Sequence, residues 1–155
     1  MAALLDYEPA TGVLTWKSPP PTHPKLLNLP AGSTTTGYVL VKIDGRKYKG
    51  HHLAWLLMHG EWPEKEIDHR NGQPMDNRID NLRLATPAQN QANKARRTGK
   101  QFAKGVRLLP SGKFNARIKV KGVLLSLGAF PTELEASDAY MTAARHHYGE
   151  FARKD

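Results

Sequence analysis

The chain has 155 residues, with 23 Lys and Arg against 14 Asp and Glu, a formal net charge of +9 and a pI near 9.9. That length suits one ordinary domain or two small ones. The charge favours a polyanionic partner, because Lys and Arg neutralise phosphates and release counterions. With no cysteine, disulfides and cysteine zinc sites are excluded. No apolar run is long enough to span a bilayer, and no basic-then-apolar leader opens the chain. A soluble, intracellular (cytoplasmic) protein is expected.

Residues 1 to about 50 read as short strands separated by turns. Tyr7 to Gly12 is a turn leading into Val13-Leu14-Thr15-Trp16, and Pro19 through Pro24 is a stiff loop. Tyr38 to Ile43 and Arg46 to Lys49 flank Asp44-Gly45, a two-residue hairpin signal. A small antiparallel sheet is expected. Leu53, Trp55, Leu56, Leu57 and Met58 are too continuous for a half-buried strand. With His59-Gly60 as a stop they predict a short buried helix over 51–60.

Asp68-His69 follows, on a predicted short strand. Asn71-Gly72 opens a loop, Leu82-Arg83-Leu84 returns as a second strand, and Thr86-Pro87 marks the start of a helix carrying Asn90 and running to about Ala95. From Arg83 to Arg107 there are seven basic residues and no acidic one. This is either a solvated linker or a connector that tracks phosphates.

Beyond about Gln101 the pattern changes again. Gly105 to Leu109, Phe114 to Val120 and Val123 to Phe130 read as three strands. In the second, Phe114, Ala116, Ile118 and Val120 alternate with Asn115, Arg117 and Lys119. Thr132-Glu133-Leu134-Glu135 is a capping box. It opens a helix whose Ala136, Ala139, Tyr140, Ala143, Ala144 and His147 share a face, with Gly149 as its stop. The alanine-rich face can pack on the apolar side of the strands, which leaves a basic face for solvent or DNA. The adjacent His146 and His147 diverge on the helix and read as one surface and one core residue.

An acidic residue beside a histidine, a tight polar turn, and asparagines at Asn77, Asn81 and Asn90 can together supply a metal ligand, a general base and the groups that hold them. Taken singly, each is more often a turn or surface feature. The stretch from Tyr7 to about Asn93 resembles HNH endonucleases of the homing and phage type. The matching features are Asp6-Tyr7 to Trp16, Tyr38 to Tyr48, His51-His52-Leu53-Ala54-Trp55, Gly60-Glu61-Trp62-Pro63, Ile67-Asp68-His69, and Asp76-Asn77-Arg78-Ile79-Asp80-Asn81-Leu82-Arg83. Residues 104–152 resemble an AP2 DNA-binding domain through Lys104-Gly105-Val106-Arg107, Gly112-Lys113-Phe114, Leu127-Gly128-Ala129-Phe130 and the Ala136 to Ala144 helix. This second resemblance departs from its family at Ser111 and Ser126, where DNA-contacting tryptophans are common. The departure lowers the expected sequence preference.

The resemblances imply an α+β protein: a small antiparallel sheet plus a ββα-metal motif, then a three-stranded antiparallel sheet packed on one helix. The expected domains are 1–95 for the nuclease, 96–103 for a basic linker and 104–155 for the AP2-like module. The implied activity is metal-dependent hydrolysis of DNA phosphodiesters, nicking the strand to leave 5′-phosphate and 3′-hydroxyl ends. One divalent cation, Mg²⁺ or Mn²⁺, suits oxygen ligands. The resemblance assigns these to Asp68 and Asn90. It makes His69 the general base and Asn81 the residue that bridges the loop and orients it, with Asn77 as a loop brace. His51 is assigned to structure ahead of a phosphate contact, and His52 is given no role. The expected DNA contacts are Arg83, Arg96, Arg97, Arg107, Lys113, Asn115, Arg117 and Lys119. The partner is double-stranded DNA, the chain a monomer or weak dimer, and a phage or intron gene in a bacterial host is a plausible source. The competing reading is a catalytically inactive DNA-binding regulator that keeps the fold.

Overall fold

The computed structural model describes residues 1–34, 37–96, 99 and 101–153. It divides into two compact units, Met1–Ala85 and Thr86–Asp155.

The first unit is built from pairs of short strands. Strands β1 (Leu5–Glu8) and β2 (Val13–Trp16) form one antiparallel hairpin, and β3 (Leu40–Ile43) and β4 (Arg46–Lys49) form another. Instead of the one small sheet expected, these are separate two-stranded sheets. Isolated bridges at Thr15–Pro30 and Ser33–Leu40 tie the intervening segment to both. Asp44 and Gly45 both take positive φ, 48° and 78°, as a tight turn matched to the right-handed strand twist requires.

Helix α1 (Gly50–His59) starts directly after β4 and stops at Gly60, which takes a left-handed conformation. It buries His51, Leu53 and Ala54. Leu5, Leu14, Trp16, Ala31, Val41, Ile43 and Leu53 make the core of this unit, and Ala54 packs with Ile67 and Leu82 in a second cluster. That second cluster joins α1 to the antiparallel pair β5 (Glu66–His69) and β6 (Leu82–Ala85).

The second unit begins with helix α2 (Pro87–Asn93), whose N-terminus is closed by a reciprocal capping box between Thr86 and Gln89. Strands β7 (Val106–Leu108), β8 (Phe114–Val120) and β9 (Val123–Phe130) form one antiparallel sheet in that order. Helix α3 (Glu133–Tyr148), capped by Thr132 and Glu135, packs on β8 and β9. The expected three-stranded sheet on one helix is therefore present. The buried face of α3 is Ala136, Tyr140, Met141 and Ala144, set against Ile118. His147 lies outside that face and is exposed along with His146, which corrects its expected place in the core.

The compact units divide at Ala85, ahead of the boundary at residue 95 that the sequence predicts. The reason is local. Lys104 Nζ donates to the carbonyls of Ala92, at 2.5 Å, and Lys94, at 2.7 Å, and α2 packs against α3. Among the described residues no helix is long and apolar enough to cross a membrane.

Candidate active site

Asp68 and His69 are consecutive on β5, so the strand pleat sends them to opposite faces. Cross-strand register confirms the split. Asp68 lies opposite Arg83, and His69 lies opposite Leu82. On the Asp68 face, Arg83 Nε donates to Asp68 Oδ2 at 2.8 Å, with only 7% and 4% of the two side chains exposed. On the other face, His69 meets α1. Its ring stands edge-on to His51, with centroids 4.9 Å apart, and His51 in turn contacts Tyr38 and His52.

The loop from Arg70 to Asn81 closes the end of the β5–β6 pair through its own polar groups. Gly72 N–H donates to the His69 carbonyl at 2.8 Å, and Arg70 N–H to the Asn81 carbonyl at 2.8 Å. Asn81 spans the loop: its Oδ1 accepts from Asn71 N–H at 3.0 Å and its Nδ2 donates to the Asp76 carbonyl at 2.7 Å. Asp76 anchors the loop's outer side, receiving Arg78 Nε at 2.8 Å, an Arg78 terminal nitrogen at 2.6 Å and Asn71 Nδ2 at 2.7 Å. The Arg78 hydrogen bonds hold the Asp76 carboxyl well below the usual carboxylate range.

Asn77 is the residue that touches the histidine. It is 2% exposed, and its Oδ1 lies 3.3 Å from His69 Nε2. A side-chain amide oxygen only accepts, so Nε2 carries the proton in this contact. In the neutral ring the lone pair then sits on Nδ1. The roles expected for the two asparagines thus divide differently. Asn81 bridges the loop, while the group bonded to His69 belongs to Asn77. Nothing in the spacing separates the two, because both lie in one polar turn.

The first hairpin presses on Asn77 from outside. Tyr7 Oη donates to the Asn77 carbonyl at 2.8 Å and Ile79 N–H to the Pro9 carbonyl at 3.1 Å. A side chain at Gly12 would come within 2.5 Å of the Asn77–Arg78 backbone, so the turn needs glycine for this approach. Burial pushes the Tyr7 hydroxyl up to about 12, with Asp80 adding to it.

Burial also lowers His69 below its ordinary 6.5. The Asn77 hydrogen bond and then Asp68 oppose that effect without cancelling it. His51 falls further, to about 3, from burial first and then from His69, His52 and Lys49. Both rings are therefore pushed toward the neutral form.

The remaining expected site residues lie elsewhere. Arg83, one of the expected DNA contacts, is buried, with its Nε donating to Asp68. The register that places it there is invisible without knowing which strand pairs with which. Asn115 was placed on the DNA face, but it is 6% exposed and its Nδ2 donates to Ser126 Oγ at 2.9 Å and the Gly128 carbonyl at 2.8 Å. Its amide is thus consumed within the sheet, beside a bulge at Ala116/Arg117. Arg107 and Lys119 are exposed and Arg117 is half-buried. Pairing of Arg107 with Asn115 and the alternation along β8 put all three on the face opposite Ile118 and α3. Lys113 is exposed in the turn before β8, and Arg96 is exposed after α2. Arg97 lies outside the described residues. Asn90 lies on α2 in the second unit, half-buried.

Asp68 offers a hard carboxylate oxygen site. Among the described residues no three His, Cys, Asp or Glu side chains gather as a metal cluster. One carboxylate with amide oxygen and water fits Mg²⁺ or Mn²⁺, which keep several waters, better than a soft metal.

Residues 48–92 match the HNH endonuclease family. The match begins at the end of β4 and ends in α2, so it takes in α1, the β5–β6 pair and the loop that holds Asn77 and Asn81. A protein of Acanthamoeba polyphaga mimivirus, named as an uncharacterized HNH endonuclease, is 33% identical over 114 residues, or 72% of this chain and 59% of its own length. The chain thus spans less than two thirds of that relative. The relative comes from a giant virus, whereas the sequence reading set the resemblance among homing and phage enzymes. No solved structure matches. The HNH match stops before β7, so the AP2-like reading of the C-terminal unit rests on its own residues.

Proposed function

We propose that this chain is a DNA endonuclease of the HNH type that hydrolyses phosphodiester bonds with one divalent cation and His69 as general base. The observation that carries the reading is the setting of His69: buried at the end of β5, with Nε2 3.3 Å from Asn77 Oδ1, the contact that leaves Nδ1 as the basic nitrogen of a neutral ring. Asp68, the preceding residue of β5, is buried on the other face and suited to a hard cation, so one phosphate meets both groups by straddling the end of the strand at the turn after His69.

In this reading Asp68 and the side-chain oxygen of Asn90 hold the Mg²⁺ or Mn²⁺. When bound, the ion supplies charge stabilisation at the phosphoryl oxygens and at the departing 3′ oxygen. His69 accepts the proton of the attacking water at Nδ1, and Asn77 keeps that tautomer by accepting from Nε2. The loop network of Asn71, Asp76 and Asn81 fixes the strand end, so that the base is placed before substrate arrives. The products are a 5′-phosphate and a 3′-hydroxyl, and a single site per chain nicks one strand per encounter.

Duplex DNA is the proposed partner of the second unit too, through Arg107, Arg117 and Lys119 on the outer face of an AP2-like sheet, with Lys113 and Arg96 as phosphate contacts. Arginine can take guanine bidentately, whereas the lysines touch backbone. Ser126 is bonded to Asn115 at a position where such modules carry an aromatic contact, which favours affinity over sequence readout.

The test is a plasmid assay. Supercoiled DNA is incubated with the protein in Mg²⁺ or Mn²⁺, beside an EDTA control and the His69→Ala variant. Conversion to open circles should require metal and fall by about 10²- to 10⁴-fold in the variant. A variant that cuts like the parent removes His69 from the role.

A further inference from the structure

We propose that Arg83 sets how tightly Asp68 holds the divalent cation, and that it passes its guanidinium from that carboxylate to a DNA phosphate, so that metal and DNA bind cooperatively. The proposal rests on the reading of Asp68 as a metal ligand. It starts from the cross-strand pair itself: Arg83 Nε on Asp68 Oδ2 at 2.8 Å, with both side chains more than nine-tenths buried.

A guanidinium stays charged at every working pH. Its positive charge is therefore a permanent neighbour of any cation that takes the same carboxylate. In a buried site like charges at such separation repel strongly, because little water screens them. Arg83 must then weaken the affinity of Asp68 for a divalent ion. Glu66, the next residue of β5 on the Asp68 face, is exposed to solvent, where water screens its charge.

A phosphodiester reverses the balance. It brings negative charge and paired oxygen acceptors, which a guanidinium binds in the same forked geometry as a carboxylate. Once Arg83 holds a phosphate, its charge is compensated and Asp68 is available to the metal. By linkage, DNA then tightens metal binding and metal tightens DNA binding by the same factor. An arginine that never left Asp68 would weaken metal binding as well, but its loss would leave the duplex effect on that binding intact.

The experiment measures Mn²⁺ binding by the free-ion EPR signal, using the full chain in a His69→Ala background so that a short duplex stays intact. Without further substitution, the duplex should tighten Mn²⁺ binding by about tenfold or more. Arg83→Gln should bind Mn²⁺ about tenfold tighter than the background without DNA, and lose most of the duplex effect. Arg83→Lys keeps a positive charge beside Asp68 and should keep the weak affinity. A duplex that leaves Mn²⁺ affinity unchanged overturns the proposal whether or not the variants fold, and so does a folded Gln variant that binds Mn²⁺ no tighter. Asp68→Asn should abolish binding. If it binds as the background does, the metal-ligand reading falls and this proposal with it, a result distinct from failure of Arg83 alone.

Discussion

The buried pair of imidazoles makes the first unit sensitive to mild acid, and His51 is where the effect can be isolated. Its ring is 4% exposed and is held neutral down to about 3, against an ordinary 6.5. A folded value below the unfolded one means that the unfolded chain binds more protons as pH falls. Stability is therefore full above 6.5 and is lost as pH drops toward the folded value. The whole gap corresponds to about 5 kcal/mol, and the span from pH 6.5 to 4.5 to about 3 kcal/mol, as an order of magnitude. His69 and His52 are also lowered by burial and act in the same direction, whereas Asp76, held low by Arg78, begins to lose its contribution only when pH falls into the ordinary carboxylate range. Replacing His51 with Gln removes one titrating group. All three tryptophans, Trp16, Trp55 and Trp62, lie in the first unit, so fluorescence-monitored urea unfolding reports on that unit. Between pH 6.5 and 4.5 the parent should lose on the order of 1 kcal/mol per pH unit more than His51→Gln, a midpoint difference on the order of 1–2 M urea at the acid end. Parallel stability profiles for the two proteins would refute the reasoning, because they would mean that His51 takes up its proton without unfolding.

Two further outcomes follow from the same geometry. Asn77→Ala leaves a buried His69 N–H without its acceptor and should cost about 1–3 kcal/mol. It should also lower the cleavage rate at saturating DNA. Asn81→Ala should cost comparable stability through the loop while leaving the His69 tautomer, and hence the pH profile of the residual activity, unchanged. A pH profile altered by Asn81→Ala and untouched by Asn77→Ala would reverse the assignment. In the second unit, Gly105 takes φ +75°, and a side chain there would come within 2.2 Å of the Tyr140 ring. Gly105→Ala should destabilise that unit by more than the ~1 kcal/mol of a compatible exchange, read as a lower midpoint by circular dichroism.

Elements governed by neighbours in the chain were legible in the sequence by itself. The Asp44-Gly45 turn, the Thr86 cap, the Thr132–Glu135 capping box, the Gly60 stop and the three-strand-plus-helix order of the second unit each depend on a few adjacent residues, whose backbone preferences act locally. The Asp68-His69 pair and its asparagines were legible as a motif, because residue type and spacing survive without coordinates. What required tertiary structure was every role set by register or close approach. That Arg83 meets Asp68 depends on which residue of β6 lies opposite Asp68, and a slip of one position would send it to the other face. Asn77 rather than Asn81 meets His69 because the first hairpin presses on its backbone from 70 residues away in sequence. Asn115 satisfies its amide inside the sheet because the bulge at Ala116/Arg117 brings Ser126 and the Gly128 carbonyl within reach. Burial of His51 and His69, which pushes both rings toward the neutral form, exists only once α1 is laid across the β5–β6 pair.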